Sequence, residues 1–194
     1  CIRDRFGGDP GNIMIYGQSG GGSKVSTLMV MPSAGGLFHK AGIQSGSTLT
    51  LGPRERNTGQ TEKLLSELGI SKTKIEDLQK VPWDAILEAK SNTGFSPVVD
   101  GVIIPKNPFD PEAPQISADI PMIVGYTRED AGIRDLSGPE LTKDGLTKWV
   151  QETYKENATQ ILNTYNKAYP NATPTQIQAR IRTDSNTRER ATLM

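Results

Sequence analysis

Absences set the first limits on this chain. Its 194 residues include one cysteine and one histidine, and 22 basic side chains balance 22 acidic ones. A lone cysteine, Cys1, can form no disulfide within the chain, a pattern that fits a reducing compartment. Zero net charge leaves no electrostatic footprint for nucleic acid or for an anionic membrane. No run approaches the ~18–20 consecutive apolar residues of a membrane span. There is also no internal repeat, low-complexity tract or clean linker. What is present suits a folded chain. Apolar residues at 35%, less 5 tyrosines and taken with 20 glycines, fall only slightly under the usual ~45–50% for that combined set, which argues against disorder. The length suits one domain.

Short apolar runs alternate with helical periodicity. Ile13 to Tyr16 is too short for a helix and reads as a buried strand. A glycine-dense turn, Gly17 to Gly22, follows. Val25, Leu28 and Met29 then share a helical face that ends before Pro32. Ala41 to Gln44 reads as a second strand. Asn57 to Lys90 is helical in pattern: Leu64, Leu65 and Leu68 lie on one face, Gly69 is a stop, and Thr73 with Glu76 spells a capping box. Pro82 suits the first position of another short helix. Pro97 to Pro121 reads as extended loop with a strand fragment at Val102–Ile104. Pro121 to Gly125 reads as a core strand, and helices dominate after Leu141, with a capped start at Thr173–Gln176. This alternation predicts an α/β fold with a mostly parallel sheet and flanking helices.

One turn carries chemistry. Gly17-Gln18-Ser19-Gly20-Gly21 spells G-x-S-x-G between a strand and a helix. On so sharp a turn a serine sits in a strained backbone conformation with its hydroxyl exposed, and small neighbours let the chain fold back closely. The N–H of Gly20 then points where a developing oxyanion would sit, aided by the helix N-terminus. A plain glycine-rich connector is the bland alternative. A phosphate cradle is another, because Gly17-x-x-x-x-Gly22-Ser23-Lys24 nearly spells a P-loop. The last two residues are inverted, however, and one helical step turns a side chain by about 100°, so Ser23 and Lys24 aim the wrong groups.

In order, FGGDPGN (Phe6 to Asn12), IMIYGQSGGG, GLFHKAGIQSGS (Gly36 to Ser47), SPVVDGVIIP (Ser96 to Pro105) and PMIVGYTREDAG (Pro121 to Gly132) resemble the type-B carboxylesterase and cholinesterase family of α/β-hydrolases. The blocks span Phe6 to Gly132, and the helical stretch after Leu141 resembles the family only loosely. The resemblance implies a partial α/β-hydrolase fold. It implies Ser19 as nucleophile, Gly20 as an oxyanion-hole donor and Ser45 as a serine supporting the triad acid. It implies no metal and no cofactor. The family acid is usually Glu in a segment similar to G-x-N-x-x-E-G. Laid on Gly125 to Ala131, it falls on Asp130, one methylene shorter. Sliding the register by one would place Glu129 there, but Gly125 anchors the spacing and favours Asp130. Gln18 stands where Glu is commonest.

The chemistry implied is two-step acyl transfer on a small-molecule ester through an acyl-enzyme on Ser19. In this fold the order is Ser, acid, His. The single histidine, His39, comes before the acid, at a position within LFHKA that is ordinarily structural, so it is expected to be a packing or surface residue. The catalytic histidine is therefore not in this chain, and no HGGG-type loop precedes Ser19. The expectation is that residues 1–194 are an internal fragment of a hydrolase domain, lacking the oxyanion-loop part and the histidine part and inactive alone. A non-catalytic adhesion or scaffold relative of the same fold is the rival reading, though such relatives typically replace the nucleophile.

Overall fold

Three short strands make one parallel sheet in the order β1-β2-β3: β1 is Met14–Gln18, β2 Lys40–Gln44 and β3 Met122–Gly125. The structure, a computed structural model, describes residues 5–89, 96–132 and 140–194. Cys1 and the Lys90 end of the helical pattern lie outside them. The chain divides into two compact units, one of Cys1–Val25, Phe38–Ser47 and Ile120–Met194, the other of Ser26–Leu37 and Thr48–Asp119.

The first unit holds the sheet. Central β2 buries Ala41, Gly42 and Ile43, as a short apolar run between two neighbours should. The flanking strands differ from the sequence expectation of burial. Tyr16 in β1 is 74% exposed and Ile123 in β3 72% exposed. The register puts both in one row with Gly42, so one face of the sheet lies open to solvent. The described residues leave that face uncovered, while the alternate residues Ile15 and Val124, on the other face, are half-buried. His39 secures the entry to β2. Its backbone N–H donates to the Ile13 carbonyl at 2.8 Å, and its ring Nδ1 accepts the Ile13 N–H at 3.1 Å.

Helix α1, Gly20–Leu28, starts immediately after Ser19. The helices lying wholly in the first unit include α4, Lys143–Tyr154, α5, Ala158–Ala168, and α6, Pro174–Thr183. Helix α6 continues through a π-helical turn, Asp184–Arg188, into α7, Glu189–Thr192. Leu146, Val150, Ala158, Ile177 and Ile181 form their common core. The capped start read at Thr173 is present: its hydroxyl accepts from Gln176 N–H at 3.3 Å, and the Gln176 side chain accepts the Thr173 N–H at 2.9 Å.

The second unit contains α2, Arg54–Glu67, and α3, Trp83–Ala89. Leu64 and Leu65 are buried, and Gly69 ends the helix at φ +67°. Two expectations fail here. The Thr73/Glu76 capping box does not form, because Ser71 takes the capping role and accepts the Thr73 N–H, while Lys74 leaves helical geometry; the segment Lys72–Lys80 is a kinked 3₁₀ helix. Val102–Ile104 is not a strand. The Asp100 carboxylate accepts the N–H groups of Val102, Ile103 and Ile104, each at 2.9 Å, and so uses the donors that a ladder would need.

Candidate active site

The C-terminal ends of the three parallel strands gather the singled-out residues, which is where open α/β sheets bind ligands. Ser19 follows β1 directly and takes φ +53°, a left-handed conformation that costs a non-glycine residue energy and marks a constrained turn. Its N–H donates to the Gln44 carbonyl at 2.8 Å, and its own carbonyl accepts the Ser23 N–H at 3.0 Å, opening α1. Glycines let the turn close tightly. A Cβ on Gly17 would sit inside the backbone of Gly21, and one on Gly46 would collide with the Ser19 carbonyl. The second motif glycine is different, since a Cβ on Gly21 meets nothing within 4 Å. The Lys24 ammonium turns back to the Gly20 carbonyl at 3.4 Å, i to i+4 on its own helix, rather than outward as a phosphate-binding lysine would.

Ser45 follows β2, also at positive φ, +51°, and its N–H donates to the Gly125 carbonyl at 2.8 Å. That geometry aims its hydroxyl at the loop after β3, where it donates to Asp130 Oδ1 at 2.6 Å. Thr127 donates to the same oxygen at 3.1 Å, and Thr187 to Oδ2 at 3.4 Å. Asp130, Ser45, Thr127, Gln18 and Gln44 line an open cleft of about 530 Å³. Glu129 is directed elsewhere. Its Oε1 accepts from Arg180 Nε at 2.9 Å and Nη2 at 2.7 Å. Arg180 is only 7% exposed and stacks 4.0 Å over the Tyr169 ring.

Of the residues singled out in the sequence, the fold thus brings Ser45 and Asp130 into contact and sets Ser19 at the neighbouring strand end. It leaves His39 at the other end of the sheet, about five strand residues or roughly 16 Å from the turn at Ser19. Thr127, Thr187 and Arg180 were not singled out. The hydroxyl at 127 lies within the recognised loop, but nothing local signals that residues 57 and 51 positions away in sequence reach it. Among the described residues no group of three His, Cys, Asp or Glu side chains is placed to hold a metal, and no helix is long and apolar enough to cross a membrane.

A sequence profile described as "Carboxylesterase family" matches residues 4–193. The chain is similar to a para-nitrobenzyl esterase of Bacillus subtilis (strain 168), 32% identical over 136 residues, covering 64% of this chain and 28% of that protein. It is also similar to carboxylesterase 1C of Rattus norvegicus, 29% identical over 175 residues, covering 85% of this chain and 32% of that one. Among solved structures, a Geobacillus stearothermophilus carboxylesterase superposes with TM-score 0.72 at 29% identity, over 97% of this chain and 41% of that one. The chain spans about a third of the length of these curated relatives, and its sheet and flanking helices form part of the α/β-hydrolase fold.

Proposed function

Because this chain belongs to the carboxylesterase family, we propose that it carries the nucleophile and acid portion of an active site that hydrolyses carboxylic esters. Ser19 is the nucleophile, the Gly20 N–H one oxyanion donor, Asp130 the acid, and Ser45 the hydroxyl that holds the acid. The observation carrying this reading is the pairing of a strained serine at the strand-to-helix turn with a carboxylate fixed across the same strand ends.

A relay imidazole would stand between the two: Ser19 follows β1 directly and Asp130 lies in the loop after β3, at the same end of the sheet. Oδ1 of Asp130 is occupied by two hydroxyls, whereas Oδ2 carries only one long contact, which leaves it a lone pair to accept a ring N–H. The imidazole removes the Ser19 proton as the hydroxyl attacks the ester carbonyl. The alkoxide that develops is held by the Gly20 N–H at the positive end of α1 and by further donors. Alcohol leaves with that proton, and water repeats the sequence on the acyl-enzyme. Asp130 keeps the imidazole in the right tautomer and stabilises its charged form.

His39, locked to Ile13, is not that base. The reading therefore treats residues 1–194 as an incomplete hydrolase domain whose histidine and remaining oxyanion donors come from other sequence. In the full-length protein, Ser19→Ala and Asp130→Asn are each expected to lower kcat for a simple aryl ester by at least about 10³-fold. The isolated chain is expected to leave that ester intact. Turnover by the isolated chain at an enzyme-like rate, abolished by Ser19→Ala, would refute the missing base; unchanged turnover in full-length Ser19→Ala would refute the nucleophile.

A further inference from the structure

We propose that α6 and the π-helical turn after it are the positioning device for the Asp130 carboxylate, with Arg180 and Thr187 as its principal residues. The inference rests on the reading of Asp130 as the acid. Four consecutive residues of the acid loop each meet this one helical segment. Glu129 is gripped by Arg180 through two N–H groups on one oxygen. Asp130 Oδ2 accepts from Thr187 at 3.4 Å. The Ala131 N–H donates at 3.0 Å to the hydroxyl of Thr183, which is fully buried and itself donates to the Ala179 carbonyl at 2.8 Å. Gly132 lies so close to Ala179 that any Cβ there would collide with it. Arg180, Thr183 and Thr187 follow the i, i+3, i+7 spacing of one helical face.

The segment is itself anchored. Tyr165 donates to Asp184 Oδ2 at 2.5 Å, Tyr154 to Ser185 Oγ at 3.1 Å, and Tyr169 lies under the Arg180 guanidinium. The helical core of α4 and α5 is thereby coupled through α6 to a carboxylate at the strand ends. A loop carboxylate held only by its own neighbours samples many positions. One docked at four successive residues on a packed helix is preorganised, which is what orientation of an imidazole demands.

The test uses full-length protein and p-nitrophenyl acetate. Thr187→Val is expected to lower kcat about fivefold with KM changed by less than about twofold, and Thr187→Ser to restore it. The double variant Arg180→Met with Glu129→Leu removes the ion pair without leaving a buried charge alone. It is expected to melt close to the parent yet lose about tenfold or more in kcat. If Asp130→Asn abolishes turnover while Thr187→Val and the double variant, both folded, keep the parent kcat, the positioning inference is overturned and the functional reading survives. Loss in Thr187→Val that Thr187→Ser does not rescue overturns it as well, and does so even where the double variant fails to fold. Full turnover by Asp130→Asn overturns the functional reading, and this inference with it.

Discussion

Gly46→Ala is the substitution whose effect the geometry specifies most sharply. The added Cβ would collide with the Ser19 carbonyl oxygen and lie 2.9 Å from Gly22 Cα and 3.0 Å from Ser23 N. All three neighbours are backbone, so no side chain can swing aside. Relief requires the strand-to-helix turn to move by about 1 Å within a close-packed unit. Overpacking of this kind costs about 1–3 kcal/mol, and rigid partners place Gly46→Ala near 3 kcal/mol. At about 2–4 °C per kcal/mol for 150–250 residues, and less for a longer chain, Tm falls by at most roughly 6–12 °C. A 1 Å displacement of the turn also costs up to about 10²-fold in the rate at which Ser19 reacts. Gly21→Ala is the matched control, since its Cβ meets nothing within 4 Å. Inside α1 it is expected to be neutral or to stabilise by up to about 1 kcal/mol. Scanning calorimetry on the two variants of the full-length protein decides the matter. A Gly46→Ala protein that melts with the parent, or a Gly21→Ala protein that loses as much as Gly46→Ala, would refute the close-approach argument.

Three further predictions concern the scaffold. Backbone N–H groups of Ile104, Val102 and Ile103 hold the Asp100 carboxyl below its ordinary 3.8. The stability this turn confers is therefore complete above pH ~4 and lost as pH falls through the lowered value. The amide resonances of residues 102–104 should titrate together below pH 3.8, and titration at or above it contradicts the geometry. Burial, with the Asp184 carboxylate beside it, pushes the Tyr165 hydroxyl well above its ordinary 10.0. Its contribution is thus present below pH ~10 and lost only at higher pH, so the absorbance difference near 295 nm between the parent and Tyr165→Phe should appear well above pH 10. Thr173→Ala, which removes half of a formed capping box, should cost about 0.5–2 kcal/mol by urea denaturation.

The contrast between Gly46 and Gly21 also shows where the sequence stops being informative. G-x-S-x-G located the turn, its strand and its helix, because steric rules for glycine are local. It did not reveal that Gly46 is needed as well, because Gly46 arrives from the end of β2 and meets the turn only in the fold. The three strands and the Thr173 box were readable for the same local reason. The Val102–Ile104 fragment was not, since a single carboxylate five residues wide in reach diverted its donors. In the candidate site, Ser45 and Asp130 could be aligned by resemblance, but their contact spans 85 residues. Arg180 and Thr187 fall in a stretch the sequence marks only as helical, and their contacts with Glu129 and Asp130 follow from where α6 and the turn after it dock.

Labelling of the full-length protein with an activated fluorophosphonate, followed by peptide mapping, tests the assignment of Ser19 as nucleophile most directly. The expected result is one equivalent of label on the peptide containing Ser19, with ester hydrolysis lost in step and no label in Ser19→Ala. Label carried by another residue, or ester hydrolysis that persists after Ser19 is fully modified, would contradict it.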